Sequence, residues 1–264
     1  MLARPSSGTV GEPAYLLTFN GVTTEGTFDP DFVGPRHRLR ESLLLRLLLS
    51  ARPGREVLNV GAGQGTFSQL LEERGFEVTS VDPLPAAVEL LRTRARGPVL
   101  AGTAESLPFG DASFDATVLG EVLEHVEDDL AGLGEVARVV RPGGVVAISV
   151  PANPAWFGRS DEWAGHHRRY TRDALLELCA GAGLEVEKLA PWGFPVSSFY
   201  HRRIYEPRLT AQGPARPRWY MRPAVSALGA ALQLDRLFVG VERGALGYLL
   251  LARKPSQTPA RSSS

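Results

Sequence analysis

Apolar residues recur at helical spacing over residues 36–51 (RHRLRESLLLRLLLSA), until Pro53-Gly54 stops the pattern. Beyond that point short apolar runs alternate with longer amphipathic stretches. The runs predict strands at 56–60, 76–81, 99–101, 114–119, 145–150, 184–190 and 244–254. The stretches between them predict helices at 66–74, ended by Gly75, and at 85–96. Further helices are predicted at 128–140, ended by the turn Arg141-Pro142-Gly143-Gly144, and at 171–182, capped by Thr171 and stopped by Gly183. Such alternation predicts an α/β chain with a doubly wound, mostly parallel sheet of seven strands. Residues 194–243 break the rhythm with two predicted helices rich in arginine and aromatics, a helical insertion before the last strand. The predicted organisation is an N-terminal extension (1–35), a core (36–193), this insertion, the last strand (244–254) and a disordered tail (255–264). Residues 1–13, rich in Pro, Ser and Gly, also read as frayed.

Composition narrows the class. Of 264 residues, 44% are apolar and 22% charged, ordinary for a soluble globular chain and too apolar for a disordered one. The 29 Lys+Arg balance 29 Asp+Glu, which excludes a strongly basic nucleic-acid binder. That balance hides an asymmetry: residues 191–264 hold 11 basic and 3 acidic side chains. Cys179 is the single cysteine, so neither an intrachain disulfide nor a Cys-rich zinc site is available. The opening MLARPSSGTVGEP lacks an apolar signal region, and no apolar window reaches about 18 residues, so a cytoplasmic protein is expected.

In doubly wound sheets ligands bind at the carboxyl ends of strands. There the run Val57-Leu58-Asn59-Val60-Gly61-Ala62-Gly63-Gln64-Gly65-Thr66 takes a strand through a glycine turn into a helix. Glycines let a ligand approach the backbone, and a helix start offers unpaired N–H groups. Asp82 ends the next strand, 17 residues past Gly65, where a carboxylate can accept from both hydroxyls of a ribose. A dinucleotide or S-adenosylmethionine would suit such a site. The spacing G-x-G-x-G, with its third glycine one residue earlier than in G-x-G-x-x-G, leans to the second.

Further on stand Ala104-Glu105-Ser106-Leu107-Pro108-Phe109, Ser113-Phe114-Asp115, Glu121-Val122-Leu123-Glu124-His125-Val126 and Arg141-Pro142-Gly143-Gly144. With this series the sequence resembles the class I S-adenosylmethionine-dependent methyltransferases of small-molecule type, over about residues 36–190 and the last strand. The resemblance implies a Rossmann-like methyltransferase fold, S-adenosyl-L-methionine as cofactor and S-adenosyl-L-homocysteine as product. It places Gly61, Ala62 and Gly63 under the methionine part, counts Gly65 among the cofactor-binding residues, and sets Asp82 on the ribose and Pro83 beside the adenine. It sets Ala104, Glu105 and Leu107 at the adenine edge, and Gly120 and Glu121 in the methyl-donor pocket. Asn59, also a cofactor-binding candidate, stands where the family usually carries an acidic residue, and Thr103 where it often carries Asp.

Methyl transfer from a sulfonium needs mainly positioning, plus a base when the acceptor is a hydroxyl. The candidates lie in Trp163–Thr171, overhanging the strand ends: His166, His167 and Tyr170. His125 reads as structural. A three-histidine metal site from His125, His166 and His167 is disfavoured because adjacent histidines seldom converge on one ion, so no metal is expected. The insertion carries Phe194, Phe199, Tyr200, Tyr205, Trp219, Tyr220 and Phe238 among its arginines. It predicts a lid over a small-molecule or lipid-like acceptor, with oxygen as the methylated atom, peripheral membrane contact through 194–243 and no nucleic-acid partner. Two alternatives stand beside this reading: a non-catalytic subunit that binds the cofactor, and an NAD(P)-dependent or nucleotide-sugar oxidoreductase.

Overall fold

The computed structural model describes residues 17–19, 22–24, 34–209 and 222–256. The predicted frayed end at 1–13, residues 257–264 of the predicted tail, and Trp219 and Tyr220 of the insertion lie outside the described residues. A short antiparallel hairpin pairs β1 (Leu17–Phe19) with β2 (Val22–Thr24). Then come α1 (Pro35–Ser50), β3 (Glu56–Val60), α2 (Thr66–Glu72), β4 (Glu77–Asp82), α3 (Pro85–Arg94), β5 (Val99–Ala101) and β6 (Phe114–Gly120). After these follow α4 (Asp129–Val139), β7 (Val140–Pro151), α5 (Arg159–Ala164), α6 (Arg172–Gly181) and β8 (Glu185–Trp192). The insertion holds α7 (Val196–Tyr200), a π-helical turn (His201–Tyr205), α8 (Glu206–Arg208), α9 (Arg222–Leu232) and a 3-10 turn (Gln233–Phe238), before β9 (Gly247–Arg253).

Seven strands form one sheet in the order β5-β4-β3-β6-β7-β9-β8. The strands from β5 to β7 run parallel, and β9 inserts antiparallel between β7 and β8. Central β3 buries Val57, Leu58, Asn59 and Val60, as a strand covered on both faces must. One face is covered by α4 and α6 through Leu133, Val136, Leu175 and Cys179. The other is covered by α1, α2 and α9 through Leu39, Leu44, Leu48, Phe67 and Leu232. Cys179 is therefore a core side chain, its thiol pushed up by burial to about 12.

Two sequence expectations change. The turn expected at Arg141–Gly144 is absorbed into β7 as an irregularity, where pairing slips between Phe114 and Ala116. The backbone past β9 captures it: Gly143 N–H donates to the Lys254 carbonyl and Lys254 N–H to that of Gly144. Helix α5 was not expected, because six residues carry too little periodicity to announce a helix.

Candidate active site

The glycine turn closes from behind. Gly61, Gly63 and Gly65 all have positive φ (64°, 52° and 82°), which a side chain resists. A β-carbon on Gly61 would stand 2.6 Å from Val122, whereas one on Gly63 would meet nothing within 4 Å. The turn therefore faces open space at Gly63. Asp82 is buried at the end of β4 and accepts from Gly63 N–H at 2.7 Å and Leu84 N–H at 3.0 Å. Burial raises its carboxyl despite those two bonds. Asn59 donates to Ser68 Oγ at 2.9 Å, and Ser68 contacts Ser80 Oγ at 2.8 Å, so a buried polar chain braces the strand ends.

The turn opens on a cavity of about 320 Å³. Its walls bring together six of the sequence candidates: Asn59, Gly61, Ala62, Gly63, Gly120 and Glu121. Gly65 lies beneath them as the cap of α2. The rest do not line it: Asp82 holds the turn from behind, Ala104 and Leu107 are packed in the core, and Pro83 and Glu105 are exposed. The other wall is α1, which sequence reasoning read only as a packing helix. His37, Arg40, Glu41 and Leu44 line the cavity at spacings that put them on one helix face. Glu41 accepts from Thr66 Oγ1 at 2.6 Å and from His37 Nε2 at 2.9 Å, and Arg40 lies 3.6 Å from Glu121. That polar stripe among the leucines was the available signal.

Next to the cavity lies a second cluster. Glu121 takes φ +61°, a conformation that a non-glycine residue adopts at a cost, and its N–H is tied to the Ser149 carbonyl at 2.9 Å. A 3-10 turn, Leu123–His125, follows. Glu124 is fully buried, and neither of its carboxylate oxygens has a hydrogen-bond partner among the described residues. Burial first, and the charge of Glu121 second, push its carboxyl well above the ordinary carboxylate range. The His125 and His166 rings meet edge to face at 4.7 Å. Burial, then His166, lowers His125 to about 4.

His166 is held from its far side. Its Nδ1 lies 2.8 Å from Asp161 Oδ1, and Arg169 Nε donates to both oxygens of the same carboxylate at 2.8 and 2.9 Å. Burial would raise Asp161, but its bonds with His166 and Arg169 outweigh that and bring it down to about 2. With Nδ1–H donating to Asp161, Nε2 is the lone-pair atom, and it lies 4.0 Å from Glu124 Oε1. The His167 side chain is exposed, and its N–H donates to the Glu124 carbonyl. Tyr170 is buried, and its hydroxyl donates to Asp129 at 2.8 Å. That ties it to α4 rather than to the cavity. One ligand atom each from Glu124, His125 and His166 lies within 4.8 Å of the others. The imidazoles that converge are thus His125 and His166, without His167.

The insertion abuts this cluster from outside. His201 in the π-helical turn is buried and accepts from Arg36 of α1 at 2.8 Å. Burial first, then the Arg36 charge, lowers His201 to about 3.

Comparison with known proteins places this architecture. A family model described as a methyltransferase domain matches residues 58–148. The chain is 42% identical over 109 residues to the demethylmenaquinone methyltransferase of Beutenbergia cavernae, covering 41% of this chain and 45% of that one. It is 35% identical over 171 residues to an uncharacterized methyltransferase of Mycobacterium sp. (strain JLS), covering 57% of this chain and 67% of that one. The match thus spans less than half of the first relative's length. The crystal structure of an S-adenosylmethionine-dependent methyltransferase from Mesorhizobium loti shares the fold at a TM-score of 0.56 and 17% identity, covering 81% of this chain and 97% of that one.

Proposed function

This chain belongs to the class I S-adenosylmethionine-dependent methyltransferases, and on that footing we propose that it methylates an oxygen of a small or lipid-like acceptor. The residues of the cavity fit the cofactor. The turn is open at Gly63, and Asp82 fixes the Gly63 N–H from behind while retaining lone pairs for hydroxyl donors. Asn59 and Glu121, with Arg40 beside Glu121, offer polar partners to an amino-acid end. When bound, S-adenosylmethionine supplies a methyl group on a sulfonium, already activated toward displacement. The protein's own task is then to position donor and acceptor.

The observation that carries the oxygen reading is the Asp161–His166 pair directed at a buried carboxylate beside that cavity. A nitrogen acceptor can do without a base; a hydroxyl gains from one. Asp161 holds the tautomer, and His166 Nε2 takes the acceptor's proton. Arg169 keeps Asp161 ionised, so that the imidazolium formed has a counter-charge. His167 helps through its backbone, which anchors the segment to the Glu124 carbonyl.

The lipid-like side of the proposal rests on the insertion. Phe199, Leu234 and Leu237 are 62%, 53% and 79% exposed, and Arg202, Arg203 and Arg243 are exposed in the same region. Apolar side chains with flanking cations suit an anionic membrane surface at which such an acceptor is met. No helix among the described residues is long and apolar enough to cross a membrane.

The test is incubation with methyl-labelled S-adenosylmethionine and host-cell extract, followed by phase partition. Base-stable label in the organic phase supports an ether on a lipid-like acceptor, and label in small aqueous molecules a polar one. Cofactor binding without transfer to any fraction supports a non-catalytic partner subunit instead.

A further inference from the structure

The cluster beside the cavity can hold more than a proton. Acidic and imidazole groups often crowd together without an ion. Glu124 sets this group apart, because it is fully buried and neither oxygen accepts a hydrogen bond from any other described residue. A buried carboxylate in that state is costly unless a proton or a cation sits on it. Glu124 Oε1 and His166 Nε2 are 4.0 Å apart. Two ligand atoms each about 2.1 Å from one tetrahedral ion lie about 3.4 Å apart, so this pair needs to close by about half an ångström to share one. Asp161 accepts from His166 Nδ1, the arrangement that fixes the tautomer and ring plane of a metal-ligating imidazole. The Gly165 backbone also hydrogen-bonds the His125 ring. Glu121 adds a second negative charge felt by Glu124.

We propose that Glu124, His125 and His166 form a site for one divalent first-row cation on the acceptor side of the cofactor cavity. A mixed carboxylate and imidazole set suits Mn²⁺, Fe²⁺ or Zn²⁺ better than Mg²⁺ or Ca²⁺, which favour oxygen alone. Three protein ligands leave coordination positions open, and an acceptor oxygen is the natural occupant. This step rests on the oxygen-acceptor reading and changes how that oxygen loses its proton. In the cation-bound form the ion, rather than bare His166 Nε2, weakens the O–H bond, and the proton leaves to water.

The experiment titrates Mn²⁺ into the full-length chain and follows loss of the free-ion signal by electron paramagnetic resonance. S-adenosylhomocysteine binding is measured in parallel by calorimetry. One Mn²⁺ per chain is expected to bind saturably. Glu124→Gln and, separately, His166→Asn are each expected to weaken Mn²⁺ at least tenfold while S-adenosylhomocysteine affinity stays within about threefold. His166→Asn leaves the buried carboxylate in place and serves if Glu124→Gln fails to fold. Absence of saturable Mn²⁺ binding below millimolar, in protein that still binds S-adenosylhomocysteine, overturns the proposal in favour of a shared proton. Undiminished Mn²⁺ binding by a folded variant overturns it equally. Failure of the wild type to bind S-adenosylhomocysteine would strike the cofactor reading, and the Mn²⁺ result decides the cation site independently of it.

Discussion

The glycine turn after β3 and the acidic-histidine cluster after β6 stand side by side, yet they settle their polar groups by opposite means. The turn is backbone held by backbone and by one carboxylate: Asp82 accepts two N–H groups, and Ala62 N–H reaches the Val81 carbonyl at 3.1 Å. The cluster is made of side chains and leaves the Glu124 carboxylate without a hydrogen bond from any other described residue, while its neighbour Glu121 sits at a costly positive φ. A turn completed by its own chain can bind a common cofactor with little specialisation. A cluster left incomplete is maintained only by what surrounds it, here Asp161 and Arg169 at near-complete burial. Under the proposed function, the incomplete region is the one where the acceptor's chemistry takes place.

If that contrast holds, the brace of the cluster carries the largest effect. Asp161→Ala strands the buried Arg169 charge and is expected to cost about 3–5 kcal/mol of stability, read by urea unfolding. A loss below 1 kcal/mol would mean that the cluster does not depend on its brace. Next comes chemistry. His166→Ala should lower turnover by about 10²- to 10⁴-fold with little change in cofactor affinity, the range for a lost proton-transfer group or its equivalent. His167→Ala should do far less, and equal losses would erase the distinction drawn between the two imidazoles.

On the other side of the comparison, Asp82→Ala should weaken S-adenosylhomocysteine binding by about 1–3 kcal/mol in calorimetry, through the N–H groups it leaves unpaired. Unchanged affinity would remove Asp82 from the site. A smaller, pH-dependent effect belongs to His201. It is buried against Arg36 and Arg169, with Tyr205, Arg202, Ser160 and Glu206 also facing it, and its folded value of about 3 lies below the ordinary imidazole value. Between those values the unfolded chain binds the extra proton. Its contribution is therefore complete above about pH 6.5 and falls on acidification toward 3, by at most about 1.4 kcal/mol per pH unit. His201→Asn should flatten that part of the stability profile. The smallest effect is expected at Leu237→Ser, within about 0.5 kcal/mol of wild-type stability because the side chain is exposed. The same change should reduce sedimentation with anionic vesicles if the insertion meets a membrane.

The legible parts of the molecule were those with local periodicity. Strands β3 and β5 fall on their predicted residues, and α1 and α3 lie within two residues of theirs. The cavity lining was legible where motif and strand end coincide, at Asn59, Gly61, Ala62, Gly63, Gly120 and Glu121. It was not legible at His37, Arg40 and Glu41, whose role depends on α1 crossing the mouth of the cavity. Nor was the fate of Tyr170, since the distance to Asp129 spans 41 residues of sequence.

By itself, then, the sequence determined the alternating strands and helices, the glycine turn and the acidic strand end, because each rests on hydrogen bonding and burial among near neighbours. Tertiary structure alone decided that β9 runs antiparallel between β7 and β8, and that Glu124, His125 and His166 meet while the His167 side chain stays exposed. The physical reason is range. Periodicity reports which face of an element is buried, whereas convergence of side chains from β6, the α5 segment and α1 depends on how separate elements pack. Only the completed sheet fixes that.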